Sequence, residues 1–508
     1  MGISEVRSAI DGWVSELINS AAPKVRDFKV IRDPIHDFIR ISPYEVAILD
    51  CPVMQRLRRI RQNALCYYVY PGMHHTRFEH SLGVMHVSEL MLCALQERHK
   101  KKIVTPRIKA VVRLAALLHD VGHVFFSHLG ERLLEEEYGK TFRDLETLTV
   151  DGIPRAFGNV RIGEMLSYLI ITSGPFSKYF EEALNKNLAE DESDLKDIKS
   201  TEVGRLIIGK ATSKNDQYAA DIIHSGMDAD KIDYFMRDCH YSGIRAEVDA
   251  SRLINRLAIL NYQDWPNLLI ASGVALHHLE QILITKLVLF TSVYHHHKVR
   301  ATEAAVRSIY MKLKEHRGTL KHKPLEFAQF TDFLRVDDAR FLVWAAEENG
   351  LKELVQDINN RNLSKRCLVL CRQSVHKSTL QEFIQLLPPS QRNSSIFDSI
   401  EQEIYDAIPP EFQAGRDRLI LDFPRFPDAD EEAGAIFLQE GRDMEPEALK
   451  GLLPTADWLR SYTVNKYRAH LFYVSDEDKR LAAAKAAEGV LFKRGIKLLP
   501  AARQFANI

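Results

Sequence analysis

An apolar helix that ends in a His-Asp pair places the strongest constraint on how this chain folds. Over residues 108–118 apolar side chains cover much of the helix circumference, which predicts a helix buried on nearly every side. Gly122 ends the pattern, so His119 and Asp120 are carried into the interior, where a carboxylate needs a cation or several donors. A His-Asp pair that stands alone in a sequence is also typical of a core histidine beside a helix-terminal charge.

Further histidines and carboxylates make a metal site the better interpretation. His80 lies upstream in another helical stretch, and Asp230 lies downstream in a segment rich in aspartate. Imidazole nitrogens combined with carboxylate oxygens suit zinc, iron, manganese or nickel, and do not suit calcium. The sequence therefore predicts a transition-metal centre assembled from distant segments.

Three segments in order identify a family. RFEHSLG (77–83), LLHDVGH (117–123) and DADKIDYFMRD (228–238) resemble the motifs of the HD-domain phosphohydrolases. Within that family they are most similar to the deoxynucleoside triphosphate (dNTP) triphosphohydrolases, some of which act in antiviral defence. The resemblance covers residues 29–303. It implies attack at the α-phosphorus of a dNTP, release of a deoxynucleoside and intact triphosphate, control of the dNTP pool, and a part in antiviral defence.

The resemblance also implies roles for individual residues. One divalent ion (Fe, Mn, Zn or Ni) would be held by His80, His119, Asp120 and Asp230. The catalytic residues would be His123, His128 and Glu131; positions i and i+3 of a helix face the same way, so Glu131 would orient the His128 imidazole. Substrate contacts, with Mg²⁺ accompanying the phosphates, would come from Arg77, Lys231 and Tyr234 at the triphosphate, Gln62 and Asp238 at the 3′-hydroxyl, and Tyr294 against the sugar.

A second set of matching positions concerns regulation. The arginine-rich segment 52–62 is by itself typical of an amphipathic helix with a solvated arginine face. In the family, however, residues at these positions bind a regulatory nucleotide at a subunit interface; here they are Lys29, Val30, Asp50, Gln55 and Arg58. The carboxylate of Asp50 and the guanidinium of Arg58 carry the groups needed to read a guanine edge. The resemblance thus implies a regulatory nucleotide and a homo-oligomer, as a dimer, tetramer or hexamer.

The hydrophobic patterns predict a mainly α protein in three parts. Residues 1–28 form an N-terminal helix and linker, and residues 29–320 form an all-helical HD phosphohydrolase domain without a central sheet. Residues 321–508 form a smaller C-terminal α+β lobe that packs on the core and in oligomer contacts. Its strand-like runs, 366–371, 418–422 and 470–474, are separated by turns rich in proline and aspartate.

Charge and composition exclude several classes of protein. The formal net charge is −1, so no overall basic field indicates nucleic acid as a partner. The longest apolar run, near residues 282–294, is interrupted by Lys286 and is too short to span a membrane. The six cysteines form no CxxC pair, which is typical of reduced, buried thiols. We therefore expect a cytoplasmic protein with no membrane partner.

One departure from the family pattern keeps alternatives open. Many dNTP triphosphohydrolases carry a further active-site histidine in the region matching residues 141–170, which contain no histidine here; Gly158 and Asn159 stand in its place. Besides dNTP hydrolysis, the sequence is compatible with an HD phosphohydrolase acting on a mono- or cyclic nucleotide, and with a nucleotide-sensing protein of little turnover. Arg77, Lys231, Tyr234 and Asp238 argue against the mono- or cyclic nucleotide.

Overall fold

The computed structural model describes residues 2–19, 21–99, 103–158, 160–245, 249–260, 268–272, 275–386, 394–424, 437–439, 447–448 and 465–508. Over these residues the protein is mainly helical with a few small sheets, which confirms the predicted fold class. None of the helices in this described part of the chain combines the length and the apolar composition that a bilayer crossing requires.

The first half of the chain is a succession of helices around one apolar core. Helix α1 buries Val6, Ile10, Trp13 and Val14 in this core. The helices of this half are α1 (Ile3–Ile18), α2 (Pro43–Leu49), α3 (Pro52–Gln55), α4 (Arg77–Arg98), α5 (Pro106–Leu118), α6 (His128–Glu146), α7 (Ile162–Ile171), α8 (Gly174–Asn187), α9 (Ser200–Ile207), α10 (Gln217–Asp221), α11 (Ala229–Ser242) and α12 (Ala250–Ile254).

Two small β structures within residues 29–320 were not predicted. Strands β1 (Lys29–Asp33) and β2 (Asp37–Ile41) form an antiparallel hairpin, and β3 (Leu257–Leu260) pairs with β4 (Leu268–Ser272). The hairpin buries Ile39 and Ile41 while Phe38 stays exposed, an alternation too short to be noticed among helical patterns. The region from 29 to 320 is therefore predominantly, but not entirely, helical.

The second half mixes helices with a three-stranded sheet. Helix α13 (Leu276–Leu289) continues through a π-helical turn (Phe290–Tyr294) into α14 (His297–Glu315). Strand β5 (Lys365–Leu370) pairs antiparallel with β9 (Ala469–Tyr473), which also pairs with β6 (Ile420–Asp422), as the three strand-like runs predicted. The remaining elements are α15 (Asp332–Arg335), α16 (Asp338–Glu347), α17 (Lys352–Asn359), α18 (Leu380–Leu386), α19 (Ser394–Asp406), α20 (Glu477–Lys493), α21 (Ala501–Gln504), β7 (Phe437–Gln439) and β8 (Glu447–Ala448).

Two large apolar cores and one small apolar cluster, which includes Ala301 of α14 and Ile420 of β6, underlie this arrangement. The larger one runs from Val6 to Ile358, and the second is built from residues between Cys367 and Ala502. Helix α14 joins them, because its buried Arg300 donates from Nε to Asp422 Oδ2 of β6 at 2.7 Å. A buried ion pair of this kind is costly to break, since either partner alone would be an uncompensated charge.

Candidate active site

Helices α4 and α5 pack side by side and bring two predicted metal ligands together. The capping box at the start of α4 pairs Thr76 with Glu79, whose Oε2 accepts from the Thr76 amide at 2.7 Å, and places His80 in the first turn. His119 directly follows α5, and its Nδ1 donates to the Ala116 carbonyl at 2.7 Å. This bond fixes the His119 tautomer and leaves its Nε2 with a free lone pair.

Helix α11 contributes the third predicted ligand. Asp228 caps the helix by accepting from the Lys231 amide at 2.8 Å, which places Asp230 in its first turn. Asp230 Oδ1 lies 2.8 Å from His80 Nε2 and 3.8 Å from His119 Nε2. One ligand atom from each of these three residues lies within 4.8 Å of the other two, so the group could hold one ion.

The fourth predicted ligand, Asp120, borders this group. Its Oδ1 lies 3.2 Å from His119 Nε2, and its Oδ2 lies 3.8 Å from His80 Nε2. The buried His119 Nε2 has no hydrogen-bond partner among the described residues, and such an atom is costly unless something binds it. An unpartnered imidazole nitrogen surrounded by carboxylates fits a divalent transition metal.

The electrostatics of the group also favour a cation. Burial opposes protonation of His80, yet Asp230 and Asp233 outweigh it and raise the pKa of this imidazole to about 10. Burial alone would raise the pKa of the Asp120 carboxyl. Arg77 and the neighbouring histidines outweigh burial and hold this pKa well below its usual range. The same negative field that stabilises an imidazolium attracts a metal ion.

A buried network behind His80 was missed by the sequence interpretation. His80 Nδ1 donates to Asp233 Oδ2 at 2.7 Å, and Asp233 is in turn held by Arg237 Nε at 2.9 Å and by His36 Nε2 at 2.6 Å. Arg237 also donates to Asp33 Oδ2 at 3.0 Å. A carboxylate behind a metal-binding histidine fixes the direction of the second ring nitrogen. The available signal was the Asp-x-x-Asp spacing of 230 and 233 on one helix face.

The loop after Asp120 is held in a strained conformation. Phe126 and Ser127 have φ angles of 53° and 51°, a left-handed region that non-glycine residues rarely adopt. Asp338 Oδ1 accepts from the Phe126 amide at 2.6 Å, and Ser127 Oγ donates to the Arg61 carbonyl at 2.6 Å. The strain is thus maintained by two partners distant in sequence, and it sets the position at which α6 begins.

The three predicted catalytic residues form a second cluster beside the first. His123 Nε2 lies 2.9 Å from Asp120 Oδ1, and His123 Nδ1 lies 2.5 Å from Glu131 Oε1. Glu131 Oε2 also accepts from His128 Nδ1 at 2.9 Å, so one carboxylate contacts both imidazoles. Burial and Arg77 oppose protonation of His123, but Glu131 and Asp120 prevail and raise its pKa to about 9.

A close helix approach makes this second cluster possible. A Cβ atom at Gly163, in the first turn of α7, would lie 2.4 Å from Glu131 Oε1 and 3.1 Å from His123 Cε1. A Cβ atom at Gly122 would lie 2.2 Å from the Gly163 carbonyl oxygen. Both positions therefore require glycine, because any side chain would separate α7 from the His-Asp loop.

The residues predicted at the triphosphate surround the two clusters. Arg77 is buried and donates to Asp120 Oδ2 at 2.9 Å and to Ser127 Oγ at 3.0 Å. Lys231 Nζ donates to Asp228 Oδ2 at 2.6 Å. Tyr234 is half-buried and lies on the same helix as Lys231. Arg77 thus contacts the carboxylate that borders the first cluster, whereas Lys231 directly follows Asp230 on α11 and its ammonium contacts Asp228.

Asp238 is the centre of the group predicted at the sugar. Its Oδ2 accepts from the Tyr294 hydroxyl, and its Oδ1 accepts from Asn63 Nδ2 at 2.7 Å and contacts His75 Nε2 at 2.8 Å. The Gln62 backbone amide donates to the His75 carbonyl at 3.1 Å, while the buried Gln62 Oε1 has no partner among the described residues. The structure thus brings Gln62, Asp238 and Tyr294 into one region; Asn63 and His75 were not predicted.

The residues predicted for a regulatory nucleotide form two pairs and one exposed strand position. Asp50 Oδ2 lies 4.0 Å from Lys29 Nζ, and it also pairs with Arg26 Nε at 2.8 Å. Arg58 Nε donates to Gln55 Oε1 at 2.9 Å. Val30 is 50% exposed on β1. Arg26 was not predicted, and it is the strongest partner of Asp50.

Comparison with known proteins confirms the class. Residues 77–165, which contain both clusters except Asp230, match the HD domain family, and residues 248–492 match the HD associated region. The chain thus contains an HD domain, as the three motifs indicated, followed by an HD associated region. Of the two residues that stand in place of the family's further histidine, Gly158 is described and Asn159 lies outside the described residues.

Several relatives to which the chain is similar are named as deoxynucleoside triphosphate triphosphohydrolases or their homologs. The chain is 35% identical over 236 residues to the deoxynucleoside triphosphate triphosphohydrolase SAMHD1 of Gallus gallus, covering 44% of this chain and 36% of the relative. It is 33% identical over 267 residues to that of Homo sapiens, covering 50% and 40%. It is 26% identical over 344 residues to the SAMHD1 homolog of Dictyostelium discoideum, covering 66% and 59%. The chain thus spans less than two thirds of the length of each of these relatives.

Proposed function

We propose that the protein hydrolyses dNTPs to a deoxynucleoside and intact triphosphate, using one divalent transition metal. The observation that carries the proposal is the buried, unpartnered His119 Nε2 facing His80 and two carboxylates, beside the Asp238–Tyr294 pair. The activity after which these relatives are named supports the same substrate class.

Four residues would hold the metal, which is Fe, Mn, Zn or Ni: His80, His119, Asp120 and Asp230. Such an ion, when bound, polarises a phosphoryl oxygen and lowers the pKa of water. Asp233 keeps His80 Nδ1 protonated and so directs His80 Nε2 toward the ion. The Asp230 side chain is 26% exposed, which leaves this edge of the group open to substrate.

The second cluster would hold and transfer protons during hydrolysis. With its pKa near 9, His123 holds a proton at neutral pH and places a positive charge beside the reacting phosphate. His128 has its Nδ1 bonded to Glu131 and a side chain that is 62% exposed, so its ring is open to substrate and would exchange a proton with the reacting oxygen. Breaking the bond between the α-phosphorus and the 5′-oxygen requires a proton for that departing oxygen.

The surrounding residues would select the substrate. Arg77 and Lys231 supply positive charge for the triphosphate, which Mg²⁺ would also bind, and Tyr234 would contact the phosphates. The Asp238 carboxylate and Gln62 would bind the 3′-hydroxyl. The Tyr294 ring, held by its bond to Asp238, would occupy the space that a 2′-hydroxyl needs.

Regulation is part of the proposal. A nucleotide bound by Lys29, Val30, Asp50, Gln55 and Arg58 would neutralise the cations of this surface and release Asp50 from Arg26. Because the family places this nucleotide between subunits, we propose that the active form is a homo-oligomer. Sedimentation velocity with and without GTP tests this: a ligand-dependent rise in mass supports it, and an unchanged mass contradicts it.

A product assay tests the activity. Metal-loaded protein is incubated with each dNTP, alone and with GTP or a second dNTP, and the products are separated by ion-exchange chromatography. Triphosphate with deoxynucleoside supports the proposal. The absence of histidine from residues 141–170 favours a second candidate, a nucleotide sensor with little turnover, which predicts nucleotide binding without products. With a mono- or cyclic nucleotide as the substrate instead, release of orthophosphate or of a nucleoside monophosphate would contradict both.

A further inference from the structure

A cavity of about 320 Å³ lies beside Arg56, and Arg58 does not contribute to its wall. It is bounded by α1, by the 3₁₀ turn Arg56–Arg59 and by residues 334–344. Four arginines and two tryptophans contribute to its wall: Trp13, Arg56, Arg59, Arg335, Arg340 and Trp344. Arg58 points elsewhere, since its guanidinium lies 3.6 Å from the Phe78 ring centroid.

Arg56 is the most informative wall residue. It is only 4% exposed, and its Nη2 donates to the carbonyls of Val121 and His123 at 2.8 and 2.6 Å. Its buried Nε and Nη1 have no hydrogen-bond partner among the described residues. A buried guanidinium with unsatisfied donors is costly, and the described residues leave the positive charge of Arg56 without an ion pair at the wall of the cavity.

The charges around the cavity are unbalanced. Arg59 Nε and Arg340 Nε share the Asp337 carboxylate, at 2.9 and 3.5 Å from Oδ2. Arg335 pairs with Glu16. Arg335 also lies 3.8 Å from Asp332, so four guanidinium groups are matched by three carboxylates, and among the described residues Arg56 forms an ion pair with none of them. The side chains of Arg59 and Arg340 remain 53% and 50% exposed, which leaves donors available at the cavity mouth.

We infer that this cavity is a second anion site, which takes a small molecule bearing a polyphosphate chain. Guanidinium groups bind phosphate oxygens through paired, charge-assisted hydrogen bonds. A volume of about 320 Å³ lies at the lower end of the range of small-molecule sites, large enough for a triphosphate or a nucleotide. The rings of Trp13 and Trp344 already lie near arginines, with Arg56 Cζ 5.6 Å from the Trp13 ring centroid.

The position of Arg56 connects this site to the candidate active site. Val121 and His123, whose carbonyls it binds, belong to the loop that follows Asp120. An anion bound by Arg59 and Arg340 in this cavity would lie beside the guanidinium that supports this loop. The inference concerns binding alone, so it stands or falls separately from the proposed hydrolysis.

Fluorine NMR of the full chain labelled with 5-fluorotryptophan tests the site. The protein has four tryptophans, and Trp→Phe variants assign the signals. We expect inorganic tripolyphosphate to shift the signals of Trp13 and Trp344, with a midpoint that rises at least about tenfold in the double variant Arg59→Gln/Arg340→Gln. The matched control Arg494→Gln removes an arginine paired with Glu403 on the C-terminal half and should leave the midpoint unchanged.

Two results would overturn the inference. One is the absence of any shift at Trp13 and Trp344 up to millimolar tripolyphosphate. The other is an equal midpoint in the wild type and the double variant, which would place the anion elsewhere. A non-hydrolysable dNTP analogue distinguishes the sources of the phosphate: tighter binding than tripolyphosphate identifies a nucleotide whose base contacts a tryptophan, and equal binding identifies the polyphosphate chain as the ligand.

Discussion

The two histidine–carboxylate clusters differ in the hydrogen bonding of their imidazole nitrogens. In the first cluster, His80 and His119 each give Nδ1 to a protein acceptor, Asp233 Oδ2 and the Ala116 carbonyl, and turn Nε2 toward Asp230. In the second cluster, His123 has a carboxylate at each ring nitrogen. His80 likewise has carboxylates at both nitrogens, Asp233 and Asp230, so the difference lies in His119. Among the described residues its Nε2 has no hydrogen-bond partner and presents a lone pair to a cation, whereas the surroundings of His123 stabilise an imidazolium.

This difference assigns distinct chemistry to clusters of the same composition. Both groups, His80–His119–Asp230 and His123–His128–Glu131, have ligand atoms close enough together to hold an ion. Only the first has a buried carbonyl acceptor that commits a histidine to one tautomer. The direction of hydrogen bonds, rather than the residue types, distinguishes the proposed metal site from the proposed proton-transfer group.

The largest effect is expected from His119→Ala. This change removes the unpartnered Nε2, so the protein should lose its bound metal, and hydrolysis should fall by about three orders of magnitude or more. Inductively coupled plasma mass spectrometry gives the metal content, and the triphosphate assay gives the rate. His277→Ala, at an 87% exposed side chain, is the matched control and should retain both. Full metal content in His119→Ala would contradict the assignment.

The second-largest effect on the rate is expected from His123→Asn, which tests whether the two clusters have separate functions. His123→Asn removes the imidazolium but none of the four proposed ligands, so the metal should remain while the rate falls about 10²- to 10⁴-fold. Metal content and kcat are measured on the same preparation. If the metal were lost together with activity, the two clusters would be one functional unit and the comparison would be wrong.

A smaller effect tests the residue behind His80. Asp233→Asn keeps the shape of the side chain but removes the charge that orients His80, so metal affinity should fall about 10- to 100-fold. A chelator competition assay measures the affinity. Excess metal should restore much of the lost rate, because the primary ligands are intact. An unchanged affinity would show that Asp233 serves only the ion pair with Arg237.

The smallest expected effect is on thermal stability. A ligand that binds only the folded protein stabilises it by about 2.7 kcal/mol at one hundred times its Kd, so added metal should raise Tm by a few degrees in the wild type. The same titration should leave the Tm of His119→Ala unchanged. Differential scanning fluorimetry measures both. An equal rise in the two proteins would place the stabilising ion outside the first cluster.

Features that depend on one continuous segment of the chain could be predicted from the sequence. The buried helix α5 and the ligand motifs were recognisable because the hydrophobic pattern and the acidic residues are local. Asp233, Arg237 and His36 were missed because they act only when strands and helices far apart in sequence meet around His80. The hairpin at β1 and β2 escaped notice because five-residue strands give too short an alternation.

Other features depend on packing that no local pattern contains. The positive φ angles of Phe126 and Ser127 follow from partners at Asp338 and Arg61. Arg56 lies in a segment that was interpreted as regulatory, yet its side chain turns inward to the carbonyls of the His-Asp loop. A run of arginines does not indicate which of them will be buried, since that depends on the helices that pack against it.

Anomalous diffraction from crystals grown with Mn²⁺ tests the central claim most directly. Data collected on both sides of the manganese absorption edge locate the ion without reference to activity. We expect one anomalous peak bounded by His80, His119, Asp120 and Asp230. No peak is expected between His123, His128 and Glu131. A peak in the second cluster, or no peak in the first at saturating metal, would contradict it.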